Sequence, residues 1–441
     1  MRPAPSAKPR VLVHGLNYAP EPVGVGKYTA EMAEGLALRG FDVRVVTARP
    51  YYPWWRAAPK SAGWAWREER SGVRVQRCPL HVPAEPGGLS RVAHLASFAV
   101  SSLPVLTMNL AWRPQVVLAV APTLACAPAA LALARVCGAA AWLHVQDLEL
   151  DLSQAMELIP GGPLGKAGLA LAHGLERLLL TRFDRVSAVS RSMGLALERK
   201  GVQPERISLL PNWADLEVFK PIERMEGQGV LRSMLGVEPG RRIVLYAGSM
   251  GRKQDLDLAA LAARLLVQEE RADAPLFVFC GQGPELERLA QDHGDVPNLR
   301  FLPLQPEATH AAMLAEADAH LLPQRPGADG RCMPSKLVSI LACGGPVVAT
   351  AAPGSELARV VNEAGGQVVQ HADAESLANN VAGLLADNDM HQTARTAARG
   401  YAELHMDKRT ILDGLGRSLL ELIQCDGDPA GKGRDLGWTE D

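Results

Sequence analysis

The stretch RVLVHGLNYAPEPVGVGKYTAEMAEGLALRGFDVRVVT, residues 10–47, decides the fold of this chain. It begins with an apolar run of strand length, continues through a loop rich in glycine and proline, and then places apolar residues at helical spacing. Gly40 follows as a helix stop, and the apolar run Phe41–Thr47 predicts the next strand. Strand, glycine loop, helix and strand in this order predict the start of a Rossmann-like domain.

The same alternation continues along the chain and then restarts. Residues 211–229 (PNWADLEVFKPIERMEGQG) break the rhythm, which indicates a connection between two domains. A length of 441 residues also suits two domains. The runs that predict further strands are VVLAVAP, AAAWLHVQ and RVSAVS before the break, and RRIVLYAG, PLFVFCG, LRFLPL, AHLLPQ and PVVAT after it.

We therefore predict an α/β protein built from two Rossmann-like domains. The last helical pattern is long enough to cross back and brace the first domain. The predicted segments are a flexible N-terminus at 1–9, a first domain at 10–210, a linker at 211–229, a second domain at 230–390, helices at 391–424 that pack back toward the first domain, and a flexible tail at 425–441.

Composition narrows the class of protein. Hydrophobic residues make up 47% of the chain and charged residues 21%, which excludes collagen-like, coiled-coil and disordered proteins. The net charge of −2 conceals a division: residues 1–212 carry 24 basic and 15 acidic side chains, a balance of +9, and the remainder carries 22 and 33, a balance of −11. A chain-wide nucleic-acid binder is excluded, and the basic half is expected to face an anionic partner.

The seven cysteines lie singly, without a CxxC pair or a Cys/His spacing typical of a metal site. We interpret them as reduced core thiols of a cytoplasmic protein. No metal ligand set is predicted.

Two stretches of the first half suggest contact with a membrane surface. Val92–Trp112 lacks charged residues, but its serines, His94 and Asn109 make it too polar for a predicted span. Residues 51–77 hold four of the eight tryptophans together with six Arg/Lys. Tryptophan beside cations suits a sugar or anionic head groups, and ordinary packing is the alternative. We expect peripheral contact with an anionic membrane, without insertion.

The first candidate binding motif is Gly24-Val25-Gly26-Lys27, at the end of the loop after strand one. Glycines let a backbone approach a ligand, and the amides of a helix start favour an anion. The motif is not a Walker A loop, because Glu21 stands where its first glycine would be and Tyr28 replaces the Ser/Thr that holds magnesium. A purely structural turn remains the alternative.

Three further motifs follow strands of the second half. Gly248–Lys253 (GSMGRK) places adjacent cations beside a glycine turn, which suits a diphosphate, the alternative being solvated loop charges. Pro334-Ser335-Lys336 opens a helix and predicts an anion site at its N-terminus. Gly281-Gln282-Gly283 lets the backbone approach a base or ribose closely.

These motifs, in this order, resemble those of glycosyltransferase family 4, the retaining sugar transferases of the GT-B fold, over roughly residues 10–420. A narrower set is similar to the colanic acid fucosyltransferase branch of exopolysaccharide assembly, although relatives with other donors share much of it. The motifs are the first glycine loop, VSAVS, LPNWADLEVF, YAGSMGRKQ, FCGQGPELERL and PSKLVSILACGGPVVAT, and for the branch LNYAPEPVGVGKYTAEM, TARPYYPWW, HLASFAVSS and LHVQDLELD.

The resemblance implies two domains that face each other across a cleft. The second would hold a nucleotide-sugar donor, possible donors including GDP-fucose, and the first would bind a lipid-linked glycan acceptor at the inner face of the cytoplasmic membrane. It implies retaining transfer with no cofactor and no metal. No nucleic-acid partner is expected, and the oligomeric state is open.

The resemblance also assigns residues. It implies catalytic roles for Lys253, Arg252 and Asp147. The implied substrate-binding residues are Asn17, Gly24, Gly26, Lys27, His144, Gln146, Asn212, Gly248, Ser249, Gly281, Gly283, Asp329, Pro334, Ser335 and Lys336.

The sequence departs from the family pattern at three places. The Glu-x7-Glu pair is missing, since Arg331 and Ser339 occupy its positions, and Asp329 is the candidate replacement for the first. Ser249 replaces the usual arginine, with Arg252 nearby. The usual His-Asp pair reads Gln146-Asp147, with His144 two residues earlier. Two alternatives remain. A sugar-nucleotide 2-epimerase has the same architecture but would need further acid/base carboxylates and histidines, which Pro334-Ser335-Lys336 followed by Ser339 does not offer, and a non-catalytic nucleotide-sugar binder would explain the missing glutamates.

Overall fold

The computed structural model describes residues 8–21, 24–52, 55–56, 66–84, 88–122, 124–148, 150–151, 163–222, 229–238, 240–268, 274–326, 333–370 and 373–426. The chain forms two compact units: residues 1–211 together with 410–441, and residues 212–409. We call them the first and the second domain. The predicted flexible ends fall almost wholly outside the described residues.

The first domain is built on an eight-stranded sheet of order β3-β4-β2-β1-β5-β6-β7-β8, parallel except for β3. Its central strands are buried along almost their whole length, as expected of a parallel sheet covered on both faces. The strands are β1 Arg10–Gly15, β2 Asp42–Ala48, β3 Trp66–Arg70, β4 Val73–Cys78, β5 Val116–Ala121, β6 Ala140–Val145, β7 Arg185–Ala188 and β8 Ile207–Leu209.

The helices of the first domain fall on the two faces of this sheet. Right-handed crossovers place α1 on one face and α2 to α5 on the other. The helices are α1 Val25–Leu38, α2 Gly88–Met108, α3 Ala127–Cys137, α4 Pro163–Leu180 and α5 Arg191–Arg199, with short 3-10 turns at Leu110–Trp112, Leu124–Cys126 and Pro204–Arg206.

The second domain has a six-stranded parallel sheet of order β11-β10-β9-β12-β13-β14. Its strands are β9 Ile243–Ser249, β10 Leu276–Gln282, β11 Leu299–Leu302, β12 Ala319–Leu322, β13 Val347–Thr350 and β14 Gln367–Val369. Its helices are α6 Val230–Leu235, α7 Leu256–Gln268, α8 Leu286–His293, α9 Glu307–Glu316, α10 Ser335–Ala342, α11 Glu356–Glu363, α12 Ala374–Ala386 and α13 Asn388–His405, with a 3-10 turn at Arg252–Gln254.

Both sheets have the strand order of a Rossmann fold, in which the direction of winding reverses next to the first strand. The reversal lies between β1 and β5 in the first domain and between β9 and β12 in the second. Ligands of such sheets bind outside the carboxyl ends of the strands at this point. The α/β prediction is confirmed, and each domain carries one such edge.

The segment predicted as a linker differs from the structure over 212–222. Trp213 and Phe219 are buried there, and the Ala214 amide donates to the Met406 carbonyl at 2.9 Å. These contacts make 212–222 part of the second domain. The remainder of the predicted linker, 223–228, lies outside the described residues.

Fewer residues return to the first domain than the predicted 391–424. Helix α13 belongs to the second domain, and its buried Ala398 and Ala402 are in that core. Only the last helix, α14 Lys408–Asp426, joins the first domain, from residue 410 onward. There Arg39 of α1 pairs with Asp413 at 2.7 Å.

Candidate active site

The carboxyl ends of β9 and β10 are packed backbone against backbone. Gly248 pairs with Gly281, and a Cβ atom on Gly281 would lie 1.9 Å from the Gly248 carbonyl oxygen. A Cβ on Gly283 would lie 2.2 Å from the Met250 carbonyl oxygen. Positive φ angles of 147° and 152° at Gly248 and Gly281 also favour glycine. Packing between strands therefore requires these glycines, independently of any ligand.

Lys336 lies over the end of β9, although 88 residues separate it from Gly248. A Cβ on Gly248 would lie 3.0 Å from the Lys336 ammonium, so glycine makes room for this side chain. The ammonium also lies 3.8 Å from the centre of the Tyr246 ring, a cation–π contact. Burial raises the pKa of Tyr246, whose hydroxyl donates to the Ser249 carbonyl and stays protonated. The structure thus joins two motifs that are far apart in sequence.

Helix α10 adds a second source of positive potential at this place. Pro334 is its N-cap residue, and among the described residues no side chain caps the helix start. The amides of Ser335 and Lys336 belong to the first turn, where helix amides lack partners within the helix. The dipole of the helix and the Lys336 ammonium therefore act together on an anion at this end of α10.

Arg252 and Lys253 lie on the 3-10 turn after β9. The Arg325 amide donates to the Lys253 carbonyl at 3.0 Å, which ties the turn to the chain that follows β12. Arg252 is 78% exposed and lies 3.5 Å from Glu285. Because a neighbouring carboxylate already balances its charge and its side chain is largely exposed, Arg252 is a weak candidate for the anion site.

The equivalent edge of the first domain contains a carboxylate. Glu21 is 3% exposed, and its Oε1 accepts hydrogen bonds from the amides of Tyr51 and Tyr52, both at 3.1 Å. Asn17 donates from its Nδ2 to Glu21 Oε2 at 2.9 Å. A Cβ on Gly26 would lie 2.8 Å from that same oxygen. Glycine at 26 therefore makes room for the buried acid.

This arrangement differs from the predicted anion site at the start of α1. Gly24 is the N-cap residue with φ 65°, and no described atom lies within 4 Å of a Cβ placed there. Lys27 lies 3.9 Å from Glu31 on its own helix. Burial raises the pKa of Glu21, and when ionised its charge opposes a second anion beside α1.

The residues at the end of β6 and just after it have different roles. His144 is 2% exposed, with Nδ1 2.9 Å from Ser187 Oγ and Nε2 2.8 Å from Gln146 Nε2. Burial lowers the pKa of His144 to about 4, so the ring is neutral at physiological pH. We therefore interpret His144 and Gln146 as packed support for the strand end. Asp147 follows them and lines an apolar pocket of the first domain.

Two other candidates from the sequence are Asn212 and Asp329. Asn212 is 7% exposed, and its Oδ1 has no hydrogen-bond partner among the described residues. Asp329 and Arg331 lie outside the described residues.

One cluster has the residue types of a metal site. In the described ranges, Asp151, His173 and Glu176 bring ligand atoms within 4.8 Å of one another. The Lys200 ammonium lies between the two carboxylates, 2.8 Å from Asp151 and 2.5 Å from Glu176. Lysine therefore already balances the charge that a cation would meet.

Sequence reasoning missed Tyr246 and the role of Glu21. Tyr246 is part of an apolar strand, and only the fold shows that Lys336 covers its ring. In the sequence, Glu21 stands out only as a break in the Walker A pattern. An acid inside a glycine and proline loop was the available signal.

Comparison with known proteins agrees with this geometry. A family model described as a glycosyl transferase 4-like domain matches residues 23–213, and one described as glycosyl transferases group 1 matches residues 241–387. The chain is 39% identical over 406 residues to the putative colanic acid biosynthesis glycosyl transferase WcaI of Escherichia coli (strain K12). That match covers 91% of this chain and 98% of the relative.

Solved structures resemble the whole chain. Sucrose-phosphate synthase from Thermosynechococcus elongatus has a TM-score of 0.71 at 17% identity, covering 95% of this chain and 100% of that one. Anabaena Alr3699/HepE, in complex with UDP-glucose, has a TM-score of 0.66 at 17% identity, covering 93% and 99%. At these identities the likeness shows the fold alone. Together with the 39% identical relative, it leads to one conclusion: the chain belongs to glycosyltransferase family 4 and has the GT-B fold.

Proposed function

We propose that this protein is a retaining glycosyltransferase that moves a sugar from a nucleoside diphosphate to a lipid-linked exopolysaccharide acceptor at the cytoplasmic side of the membrane. The observation that carries the donor half is the position of Lys336, over Gly248 and Tyr246 at the start of α10. A diphosphate fits there, because it needs several donors and positive charge in one place. The relative's name, colanic acid biosynthesis glycosyl transferase, supports an exopolysaccharide acceptor.

The donor base and sugar are a finer part of the proposal. GDP-fucose is the donor that we propose, from the resemblance to the fucosyltransferase branch. Anabaena HepE, which was solved with UDP-glucose, supports a nucleotide-sugar as the class of donor.

The proposed chemistry needs little covalent participation by the protein. The acceptor hydroxyl attacks the anomeric carbon on the face from which the diphosphate leaves, and the bond between that carbon and the phosphate oxygen breaks. The acceptor proton passes to the departing phosphate oxygen, so the anomeric configuration is kept. Lys253, Lys336 and the first turn of α10 would stabilise the charge that develops on the diphosphate. Asp147 would orient the acceptor or the sugar from the first domain.

We propose further that transfer requires neither a metal nor a cofactor. Fixed cations and a helix start supply positive potential at the proposed diphosphate site, which is the part that magnesium plays in many nucleotide enzymes.

The test is transfer by the full-length protein, with GDP-fucose and with UDP-glucose, onto a polyprenyl diphosphate-linked sugar. We expect a product from one donor, with the anomeric configuration of that donor by NMR. A product of opposite configuration would contradict the retaining mechanism. Donor binding without transfer, hydrolysis or epimerisation would favour a non-catalytic binder.

A further inference from the structure

One face of the first domain exposes large apolar side chains from three neighbouring helices. On α2, Val92 and Val100 are 60% and 66% exposed, and on α4, Leu171 is 76% exposed. Val136 at the end of α3 is exposed as well. Soluble proteins rarely leave so many large apolar side chains together on one face unless that face has a partner. We call the exposed sides of α2, α3 and α4 the apolar face.

Helix α2 shows how this face is built. Within the described residues, Ser90–Met108 is long and apolar enough to cross a membrane, with a third of it buried in the protein. Its inner side holds His94, Phe98 and Ser102, and Ser102 Oγ lies 3.2 Å from His14 Nε2. A helix fixed to a sheet in this way cannot span a bilayer, but its apolar outer side can lie on one.

The charges on these helices indicate what kind of partner the apolar face can bind. Helices α2 and α3 contain no acidic residue, and the single acid of α4, Glu176, is buried against Lys200. Among the side chains that the structure describes on these helices, the exposed charged ones are the basic Arg91, Arg135 and Arg177. Exposed apolar side chains with exposed arginines on the same helices match a surface that is apolar inside and anionic outside, such as a bilayer with acidic lipids.

An apolar pocket opens onto this face. Its volume is about 270 Å³, and its lining includes Leu95, Pro128, Leu143 and Leu179. Leu175 also lines it and is 52% exposed, so the pocket is continuous with the apolar face.

Two carboxylates complete the pocket lining. Glu176 is paired with Lys200, and Asp147 follows β6 at the carboxyl edge of the sheet. The pocket therefore connects the apolar face with the edge at which such sheets bind ligands.

We propose that the apolar face docks on an anionic bilayer and that the pocket takes the apolar chain of a membrane lipid. The inference rests on the proposed function only in identifying that lipid as the carrier of the acceptor glycan. Docking itself requires no sugar transfer, so the two can fail separately.

The first experiment measures sedimentation of the full-length protein with vesicles. Wild type should bind vesicles of phosphatidylglycerol and phosphatidylethanolamine, and binding should fall as salt rises. The double variant Val100→Asp with Leu171→Asp should bind at least tenfold more weakly. Leu404→Asp, a matched control with 75% exposure on α13 of the second domain, should bind like wild type.

Three results would overturn docking. They are unchanged binding by the double variant, equal binding to neutral phosphatidylcholine vesicles, and a wild-type dimer that the double variant converts to monomers. The last would show that a second copy of the chain covers the apolar face.

The second experiment fills the pocket. Ala172→Phe places an aromatic ring at a lining position of α4. Farnesyl phosphate should displace the dye 1-anilinonaphthalene-8-sulfonate from wild type and should do so at least tenfold less well from the variant, while inorganic phosphate should displace it from neither. Donor hydrolysis and the melting temperature of the variant should match wild type, which separates this result from failed folding or a wrong donor site. Equal displacement from both proteins would exclude the pocket as the lipid site.

Discussion

The two domains have the same strand order but opposite chemistry at the carboxyl edges of their sheets. In the second domain, Gly248 and Gly281 pack backbone on backbone, and Lys336 lies beside Gly248 at the start of a helix. In the first domain, the loop beside the helix start holds Glu21, buried and bonded to the amides of Tyr51 and Tyr52. One edge is prepared for an anion, whereas the other already contains a buried carboxyl group.

The surfaces of the two domains differ as well, in their exposed apolar side chains and in their charge. The described residues of the first domain expose large apolar side chains on the neighbouring helices α2 to α4, with exposures that reach 76% at Leu171. The first half carries a balance of +9 and the rest −11. One fold used twice can therefore serve two partners, because the fold fixes where ligands bind and the loops and outer faces decide which ligands.

The largest effect on stability is expected from replacing the glycines at which the carboxyl edges of the two sheets differ. Gly281→Ala should cost about 4 kcal/mol of unfolding free energy and abolish activity, since its Cβ would meet the Gly248 carbonyl at 1.9 Å and its φ is 152°. Gly24→Ala should cost only about 1 kcal/mol, because its φ is 65° but no described atom lies within 4 Å. Chemical denaturation of both variants measures this, and equal losses would contradict the comparison.

The next largest effect is expected on the rate of transfer, when the lysine at each edge is replaced. Lys253→Ala should raise the barrier to transfer by about 3 kcal/mol, more than a hundredfold in rate, if its charge faces the developing diphosphate. Lys27→Ala is the matched change in the first domain and should have little effect, because its ammonium lies 3.9 Å from Glu31. Steady-state kinetics of both folded variants decide the point. Unchanged kinetics in Lys253→Ala would remove that residue from the site.

The alternation of apolar runs with helical patterns predicted the fold well. Segments such as Arg10–Gly15 and Ile243–Ser249 are apolar runs of strand length whose identity follows from local pattern alone. The division of the chain was less predictable. Residues 212–222 are broken by prolines and look like a linker, but Trp213 and Phe219 are buried in the second domain through contacts distant in sequence.

The candidate site was predictable only in part. Each glycine motif could be placed at a strand end, because the carboxyl ends of parallel strands share an edge. The contact of Lys336 with Tyr246 depends on tertiary packing across 90 residues, which no local pattern carries. The burial of His144, which makes it a neutral support, likewise follows from the fold.

A smaller effect should come from the buried acid of the first domain. Because burial raises the pKa of Glu21 in the folded protein, folding favours its protonated form. That contribution is fully present below the ordinary glutamate pKa of about 4 and is lost as pH rises through the raised value. Glu21→Gln removes this dependence, so the stability of the variant relative to wild type should increase with pH from about 4 upward. Melting curves over this range test it, and parallel curves would show that Glu21 is not perturbed.

No effect is expected from removal of metal. Transfer should proceed in EDTA at the untreated rate, because the proposed site supplies its positive charge through Lys253, Lys336 and the start of α10. Loss of activity in EDTA, with recovery on adding Mg²⁺ or Mn²⁺, would contradict this proposal.

The central claim is that the edge of the second domain binds the diphosphate of the donor. The most direct measurement is the melting temperature of the full-length protein with UDP-, GDP-, ADP- and TDP-sugars. A ligand that binds only the folded state stabilises it by about 2.7 kcal/mol at a hundred times its Kd. We predict that the sugars of one base, GDP on our proposal, raise the melting temperature of wild type and of Lys27→Ala but not of Lys336→Ala. An equal increase in wild type and Lys336→Ala, or no increase with any nucleotide-sugar, would contradict the claim.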